Sequence, residues 1–372
     1  VTKATTSKNG KITKTCSGCK KKVTSTIYYA KSFSLSATSY TYNGKVQTPT
    51  VTVKDAKGKV IDPKYYTLSY SSGRKNVGTY KIKVTLKGNY SGSKTLSYKI
   101  NPISISKCKV SISGTSYTYN GKTIKPSVKV LSAGGSTLKN GTHYTVSYSS
   151  GCKNPGTYKV TVKMKGTYSG SKTFTYKINK ISISSCKISL SATSYTYDGK
   201  TKTPTVTVKT ASGSTLKMDT HYTVTYSSGR KNVGTYKVTI KMMGNYTGSK
   251  TISYKINPPK TSISKVTADI YSLKVSITKK STQVTGYEIQ YSVNSDFSDA
   301  VTKTITSYNT TSATLSELTD NTTYYVRVRT YKTVSGVKYY SGWSTVVKST
   351  TKVAPQPIEP EIPEEPELPV VE

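Results

Sequence analysis

"GTYKIKVTLKGNYSGSKTLSYKIN", residues 78–101, contains two runs in which apolar and polar side chains alternate. In the first run Tyr80, Ile82, Val84 and Leu86 alternate with lysine and threonine, and in the second Leu96, Tyr98 and Ile100 share one face. A side-chain period of two over about eight residues is typical of a half-buried β-strand. Gly88 and Asn89 lie between the runs, as the turn of a hairpin requires. The stretch predicts two paired strands of a sandwich.

The same stretch returns twice along the chain, so the architecture is repetitive. "SYTYNGK" at 39–45 and 116–122 returns as "SYTYDGK" at 194–200, and the loop "YSSGRKNVGTYK" at 70–81 is repeated at 226–237. Successive copies are 77 and 78 residues apart, which is the length of a small domain able to bury its own core. The sequence therefore predicts an all-β fold of tandem sandwich domains.

From about residue 262 the repeat pattern ends and a different sandwich pattern begins. The last twenty residues contain proline and six glutamates, a composition typical of an extended or disordered linker. We therefore expect six parts in chain order. They are an N-terminal β-hairpin segment from a truncated small domain (1–31), first repeat (32–101), second repeat (102–179), third repeat (180–260), a last sandwich (261–352) and a disordered acidic Pro-rich tail (353–372).

The chain is strongly basic, with 56 Lys and Arg against 16 Asp and Glu, and the second repeat has no acidic residue. Such a surface favours polyanionic partners such as anionic wall polymers or host glycans and proteins. Nucleic acid is disfavoured, because the lysines are spread over outward strand positions and no recognition helix is present. Solubility alone is the other interpretation of this charge. The candidate polyanion contacts are Lys81, Lys83, Lys87, Lys159, Lys163, Lys165, Lys237 and Lys241.

Tyrosine outnumbers phenylalanine 33 to 3. A tyrosine can fill a thin core while its hydroxyl reaches the rim, so most of these residues are expected to be structural. Some must be exposed, and exposed rings beside Lys, Ser, Thr and Asn could stack on sugars.

The five cysteines suggest two possible sites. Cys16 and Cys19 flank a hairpin turn, an arrangement that fits half of a zinc site or a turn-spanning disulfide. Cys108 and Cys152 occur together only in the second repeat, which predicts a disulfide between them. Cys186 repeats the Cys108 position without a partner, so a small buried side chain is the alternative. Lys31 holds that position in the first repeat.

Catalytic constellations are missing from the sequence, so we expect no enzyme activity and no further cofactor. His143 and His221 each stand where the first repeat has Tyr65, which indicates a packing position. The second repeat has no carboxylate to complete a catalytic triad.

"TSATLSELTDNTTYYVRVRTYKTVSGVKYYSGWSTVV", residues 311–347, resembles the fibronectin type III family. Leu318 and Tyr324 match the leucine and tyrosine of that family's tyrosine corner, although its early-strand tryptophan is absent. The motifs "YTYNGK", "NVGTY" and "GNYSGSKTLSYKI" of the repeats resemble Ig-like modules of secreted or surface proteins of Gram-positive bacteria.

These resemblances imply an extracellular piece of a longer bacterial surface protein, without a membrane span, working as a monomeric, elongated stalk with an adhesive role. The alternative is the spacer or carbohydrate-binding region of a large secreted hydrolase.

Overall fold

The computed structural model describes residues 1–357, so the expected tail falls largely outside the described residues. Within the described range the chain is built from β-strands and three short 3₁₀ turns, Pro63–Tyr65, Ile105–Lys107 and Ile183–Ser185. No helix of this range has the length and apolar character needed to cross a membrane. The chain forms two compact units that divide between Lys180 and Ile181.

The first repeat and the segment before it contain eight strands. The strands are β1 (Gly10–Thr15), β2 (Lys22–Ile27), β3 (Ala30–Leu35), β4 (Ser39–Thr41), β5 (Val51–Asp55), β6 (Tyr66–Tyr70), β7 (Gly78–Leu86) and β8 (Ser93–Asn101). A two-stranded sheet of β3 and β5 faces a four-stranded sheet of order β4-β8-β7-β6. In the larger sheet β4 runs parallel to β8 and the other pairs are antiparallel.

The second repeat has the same two sheets, of order β10-β12 and β11-β16-β14-β13. A short parallel pair, β9 with β15, is added at its edge. Its strands are β9 (Ile103–Ser104), β10 (Lys109–Ile112), β11 (Ser116–Thr118), β12 (Val128–Leu131), β13 (Tyr144–Tyr148), β14 (Gly156–Met164), β15 (Tyr168–Ser169) and β16 (Ser171–Asn179).

The third repeat follows the same plan, with sheets β18-β20 and β19-β24-β22-β21 and the parallel pair β17 with β23. All three repeats are Ig-like β-sandwiches, as predicted. The strands are β17 (Ile181–Ser182), β18 (Lys187–Leu190), β19 (Ser194–Thr196), β20 (Val206–Lys209), β21 (Tyr222–Tyr226), β22 (Gly234–Met242), β23 (Tyr246–Thr247) and β24 (Ser249–Asn257).

A buried tyrosine at the same position of each repeat explains why tyrosine replaces phenylalanine in these cores. Tyr98, Tyr176 and Tyr254 are each 1% exposed. Each hydroxyl donates a hydrogen bond to a backbone carbonyl about fifty residues earlier; that of Tyr98 reaches the oxygen of Gln47 at 2.7 Å. A buried hydroxyl needs such a partner, and with it the ring fills the core while the polar tip fastens a loop.

The repeated loop "YSSGRKNVGTYK" is closed by its own tyrosine. The hydroxyl of Tyr80 donates to the carbonyl of Gly73 at 2.6 Å or to that of Asn76 at 2.8 Å. Gly73 has a φ of +78°, which an L side chain adopts only with strain. Tyr158 and Tyr236 make the equivalent bond in the other repeats. The loop therefore recurs for a structural reason.

The N-terminal residues differ from the expected separate segment 1–31, because they complete the first repeat. Ala4 is fully buried, and its amide donates to the carbonyl of Asn89. Ala4 forms a parallel bridge with Tyr90, as Ile103 does with Tyr168. The hairpin β1–β2 is thus an insertion in the first repeat.

The last sandwich has a three-stranded sheet, β25-β26-β29, and a five-stranded sheet in which β30 is central. The backbone amide of Thr319 donates to the hydroxyl of Tyr324 at 3.0 Å, which is the expected tyrosine corner. The strands are β25 (Ile263–Ala268), β26 (Leu273–Ile277), β27 (Gly286–Ser292), β28 (Val301–Ile305), β29 (Ser312–Leu315), β30 (Thr323–Val334), β31 (Val337–Tyr340) and β32 (Val347–Thr350).

Candidate functional site

The outward face of the four-stranded sheet in the first repeat carries lysines among hydroxyl side chains. Ile82 and Val84 of β7 are fully buried, so Lys81 and Lys83 point away from the core. Across the strand pair, Lys81 lies opposite Ser97. The outward positions of β4, β6, β7 and β8 are Ser39, Thr41, Thr67, Ser69, Thr79, Lys81, Lys83, Thr85, Ser93, Thr95, Ser97, Lys99 and Asn101.

The second and third repeats present the same face. Each carries two lysines on the long central strand and one on the strand beside it, and threonine pairs such as Thr161 and Thr173 join these strands at 2.9 Å. We call these surfaces the lysine faces. Their nine lysines, all exposed, are Lys81, Lys83 and Lys99 in the first repeat, Lys159, Lys163 and Lys177 in the second, and Lys237, Lys241 and Lys255 in the third.

The structure exposes all eight lysines that the sequence analysis selected. Six of them lie on the lysine faces. Lys87 and Lys165 follow the ends of β7 and β14 and lie in the turns instead. Sequence reasoning missed Lys99, Lys177 and Lys255, although each alternates with the inward tyrosine and isoleucine of its strand and could have been found by that period.

No lysine of these faces is neutralised by a neighbouring carboxylate within residues 1–357. The ion pairs of this range are Lys64 with Asp62, Lys202 with Asp198, Arg329 with Glu288 and Lys352 with Asp269. Like charges on adjacent strands repel one another, so each face holds an unbalanced positive potential.

The predicted bond between Cys108 and Cys152 is not formed; all five cysteines are free. The two side chains face different parts of the core. Cys108 packs with Val110 and Val130, whereas Cys152 packs with Val160 and Tyr176. Burial raises the pKa of the Cys108 thiol, as it does for Cys186. At the position of the first repeat that is equivalent to Cys108, a β-bulge buries Ala30 and leaves Lys31 exposed.

Cys152 stands where the other loops have Arg74 and Arg230, and a second substitution compensates for the change. The Arg74 guanidinium lies 4.5 Å from the ring centroid of Tyr70 and donates to the hydroxyl of Thr48. The second repeat has Lys125 at the Thr48 position, and its ammonium lies 5.4 Å from the equivalent ring, Tyr148. A cation therefore covers this ring in both repeats, from different points of the chain.

Cys16 and Cys19 lie at the exposed tip of the β1–β2 hairpin. Hydrogen bonds from the Cys19 backbone and side chain lower the pKa of the Cys16 thiol. Within the described residues no group of three or more His, Cys, Asp or Glu side chains could hold a metal. The pair supplies two exposed thiols, and the half zinc site remains a prediction.

His143 and His221 occupy packing positions. The Nδ1 atom of His143 accepts a hydrogen bond from the backbone amide of Lys139 at 2.9 Å, and its ring packs edge-on against Tyr168. His221 repeats both contacts with Lys217 and Tyr246. Each imidazole thus closes a turn and packs against a tyrosine.

A stack of aromatic rings and arginines on the last sandwich was not predicted. Arg329 lies 4.0 Å from the Tyr340 ring centroid and 4.3 Å from that of Trp343. Arg327 lies 3.8 Å from the Phe297 centroid and 4.8 Å from that of the same tryptophan. Burial and the neighbouring Arg329 lower the pKa of Arg327. The alternation of "YVRVRTY" places both arginines on one face, but Phe297 and Trp343 come from separate loops and Tyr340 from the neighbouring strand β31.

The Glu288 carboxylate neutralises one end of this stack. Its Oε2 atom accepts two hydrogen bonds from Arg329, at 2.9 Å from Nε and 2.7 Å from Nη2. Glu288 is 6% exposed, so removing one partner would leave a charge in a poorly solvated site.

Comparison with known proteins supports the fold of the last sandwich. Residues 257–348 match the fibronectin type III domain family, so the predicted resemblance is confirmed there. This part of the chain is a fibronectin type III domain. No curated protein sequence matches the chain.

Solved structures of such domains are among those similar to the chain. A fibronectin type III domain of human contactin 1 is 20% identical with a TM-score of 0.25, and the match covers 28% of this chain and 87% of that one. A domain of human collagen alpha-1(XX) is 21% identical with a TM-score of 0.22, covering 26% and 90%. A titin fragment of several domains is 14% identical with a TM-score of 0.22, covering 81% and 91%.

Proposed function

We propose that the chain is a non-catalytic stretch of an extracellular bacterial surface protein whose lysine faces attach to polyanions. The observation that carries this proposal is the composition of those faces, which have lysine and hydroxyl side chains at successive outward positions. An adhesive stalk could present such faces to wall teichoic acid or to acidic mucin glycans.

Free lysines suit a polymer of regularly spaced negative charges. Each ammonium is a compact point charge on a flexible stem, and it can follow a phosphate or sulfate without a fixed geometry. Neighbouring serine and threonine hydroxyls can donate further hydrogen bonds to the anion. A specific pocket is not required for this kind of contact.

The binding free energy would come from the large number of weak charge pairs. One exposed charge pair contributes less than about 1 kcal/mol. Several pairs made by one polymer on tandem repeats act at high effective concentration, so their contributions combine into avidity. The expected binding is therefore of low specificity and strongly dependent on salt.

The test is retention of the full chain on immobilised poly(glycerol phosphate) and on sialylated mucin at increasing salt. We expect binding at about 50 mM salt and nearly complete loss by about 300 mM, because the Debye length shrinks below about 6 Å over this range. Absence of binding at the lower salt would contradict the proposal and leave the lysines as solubility devices.

A further inference from the structure

An open groove of about 750 Å³ lies on the first repeat beside the inserted hairpin. Its lining includes the rings of Tyr28, Tyr65 and Tyr90, the carboxylates of Asp55 and Asp62, the ammonium groups of Lys59 and Lys64, and Asn89. Its volume falls in the range of small-molecule sites. The lysine faces do not contribute to it, so its chemistry is separate from the polyanion proposal.

Both carboxylates of the first 197 residues lie in this groove, although that stretch is otherwise entirely basic in its charged residues. Asp55 is the last residue of β5, and Asp62 directly precedes the 3₁₀ turn Pro63–Tyr65. Burial and the charge of Asp55 raise the pKa of Tyr90, and both residues line the groove.

The turns that these aspartates close do not need a carboxylate. The Oδ1 atom of Asp55 accepts hydrogen bonds from the amides of Lys57 and Lys59. In the second repeat the hydroxyl of Ser132 closes the equivalent turn by accepting a hydrogen bond from the backbone amide of Ser136. In the third repeat the hydroxyl of Thr210 accepts one from the backbone amide of Ser214. The additional oxygen of Asp55, Oδ2, has no hydrogen-bond partner among residues 1–357, so it is available to a ligand.

Tyr28 is the aromatic ring that only the first repeat has. Tyr65 packs edge-on against Tyr90 at 5.6 Å, and the other repeats have a histidine–tyrosine pair in this place, so this contact belongs to the common core. Tyr28 follows β2 of the inserted hairpin and is 36% exposed. The insertion therefore adds a ring to one wall of the groove.

The charges of the groove favour a ligand without net charge. The carboxylates of Asp55 and Asp62 are balanced by the ammonium groups of Lys59 and Lys64, so the lining carries no net charge. Lys64 pairs with Asp62 at 3.2 Å and lies over the Tyr65 ring. The groups left for a ligand are the Asp55 carboxylate, the Lys59 ammonium, the side-chain amide of Asn89 and aromatic surface, a combination that accepts and donates hydrogen bonds around an apolar patch.

We propose that this groove binds a neutral oligosaccharide. A pyranose ring offers a C–H face that can pack on a tyrosine ring, and a rim of hydroxyls that can donate to Asp55 and exchange hydrogen bonds with Asn89. Uncharged hydroxyls can donate to the free Oδ2 atom of Asp55, and no counter-ion is needed for this contact.

The test is calorimetric titration of the full chain with maltohexaose, cellohexaose and N-acetylchitohexaose at low and at high salt. We expect one of these probes to bind with a Kd on the order of 1 mM. That Kd should change less than twofold with salt, because no net charge is neutralised. Failure of all three probes to bind would overturn the proposal.

Two variants locate the binding. Tyr28→Ala removes the added ring, and Asp55→Ser installs the residue type that closes the same turn in the second repeat, so its fold should be retained. We expect each to weaken binding at least tenfold, while Tyr271→Ala, at a 56% exposed tyrosine of the fibronectin type III domain, leaves it unchanged. Unchanged binding in both groove variants would refute the site. Retention on poly(glycerol phosphate) should be unaffected in all three, which separates this proposal from the proposed function.

Discussion

The lysine faces and the fibronectin type III domain use their cations in opposite ways. Arg329 is paired with Glu288 and lies between Tyr340 and Trp343, so its charge and its flat surface are already occupied. Lys81 and its equivalents project among hydroxyls, with no carboxylate paired to them in the described part of the chain. Both kinds of residue contribute to the same basic composition.

This difference shows why net charge alone does not locate a binding surface. An arginine held between rings and bonded to a carboxylate stabilises its own domain and has little left for a partner. A lysine on an exposed strand contributes almost nothing to stability and remains available. The comparison therefore favours a stabilising role for the stack and leaves the lysine faces as the surface that we propose binds polyanions.

The largest expected effect is alkaline unfolding of the repeats before the fibronectin type III domain. Burial raises the pKa of ten described tyrosines in the repeats, whereas in the last domain it raises the pKa of one described tyrosine, Tyr291. Above about pH 10 the unfolded chain loses phenolic protons that the folded repeats retain. The stability contributed by these tyrosines is complete below that pH and is lost as the pH rises through the folded values.

The measurement follows tyrosinate absorbance and circular dichroism for the repeats, and fluorescence of Trp343, the single tryptophan of the chain, for the last domain. We expect the tryptophan signal to change at a higher pH than the other two. Coincident transitions would contradict the assignment of these buried tyrosines to the repeat cores.

The second largest expected effect is a loss of stability of the fibronectin type III domain when the arginine–aromatic stack is disrupted. Trp343→Ala removes the ring that both Arg327 and Arg329 contact and should destabilise the fibronectin type III domain by about 2–4 kcal/mol. Calorimetry should show one transition shifted down and the transitions of the repeats unchanged. Tyr271→Ala, an exposed aromatic residue of the same domain, is the control and should shift nothing. Equal effects of the two variants would mean that the stack is not a stabilising element.

A smaller effect tests the exchange of cations between repeats. Cys152→Arg alone brings a second cation to Tyr148, whose ring Lys125 already covers, and should destabilise the second repeat. Adding Lys125→Thr recreates the arrangement of the first repeat. The double-mutant cycle should give a favourable coupling of about 0.5–1 kcal/mol. Additive effects would show that the two positions do not compensate.

The periodicity of the repeats was sufficient to predict their strands, because residues such as Ile82 and Val84 are buried on one face and lysines alternate with them. The same rule could have found Lys99. It could not find the arginine stack, since Phe297 and Trp343 reach Arg327 from separate loops. The disulfide between Cys108 and Cys152 was predicted because only the second repeat has both cysteines, whereas the two thiols pack into different core clusters.

The place of the N-terminal segment was also beyond sequence reasoning. Ala4 has none of the residue types that mark the start of the other repeats, Ile103 and Ile181, yet it makes the same backbone bridge. A bridge of this kind depends on main-chain atoms, so the side chains before the hairpin give no signal of it.

The smallest expected effect on stability belongs to the faces themselves. The triple variant Lys81→Gln, Lys159→Gln and Lys237→Gln changes one exposed lysine in each repeat and should alter the free energy of unfolding by less than about 0.5 kcal/mol. Its matched control is Lys94→Gln, Lys172→Gln and Lys250→Gln, which removes the same charge from exposed positions whose strand register opposes Val84, Val162 and Ile240.

The most direct test is retention of these two triple variants on poly(glycerol phosphate) as salt is increased. If the lysine faces are the binding surface, the face variant will elute at lower salt and with a shallower salt dependence, and the control variant will elute close to the unmodified chain. Equal losses in both variants would contradict the account, because they would show that net charge alone, and not the faces, determines attachment.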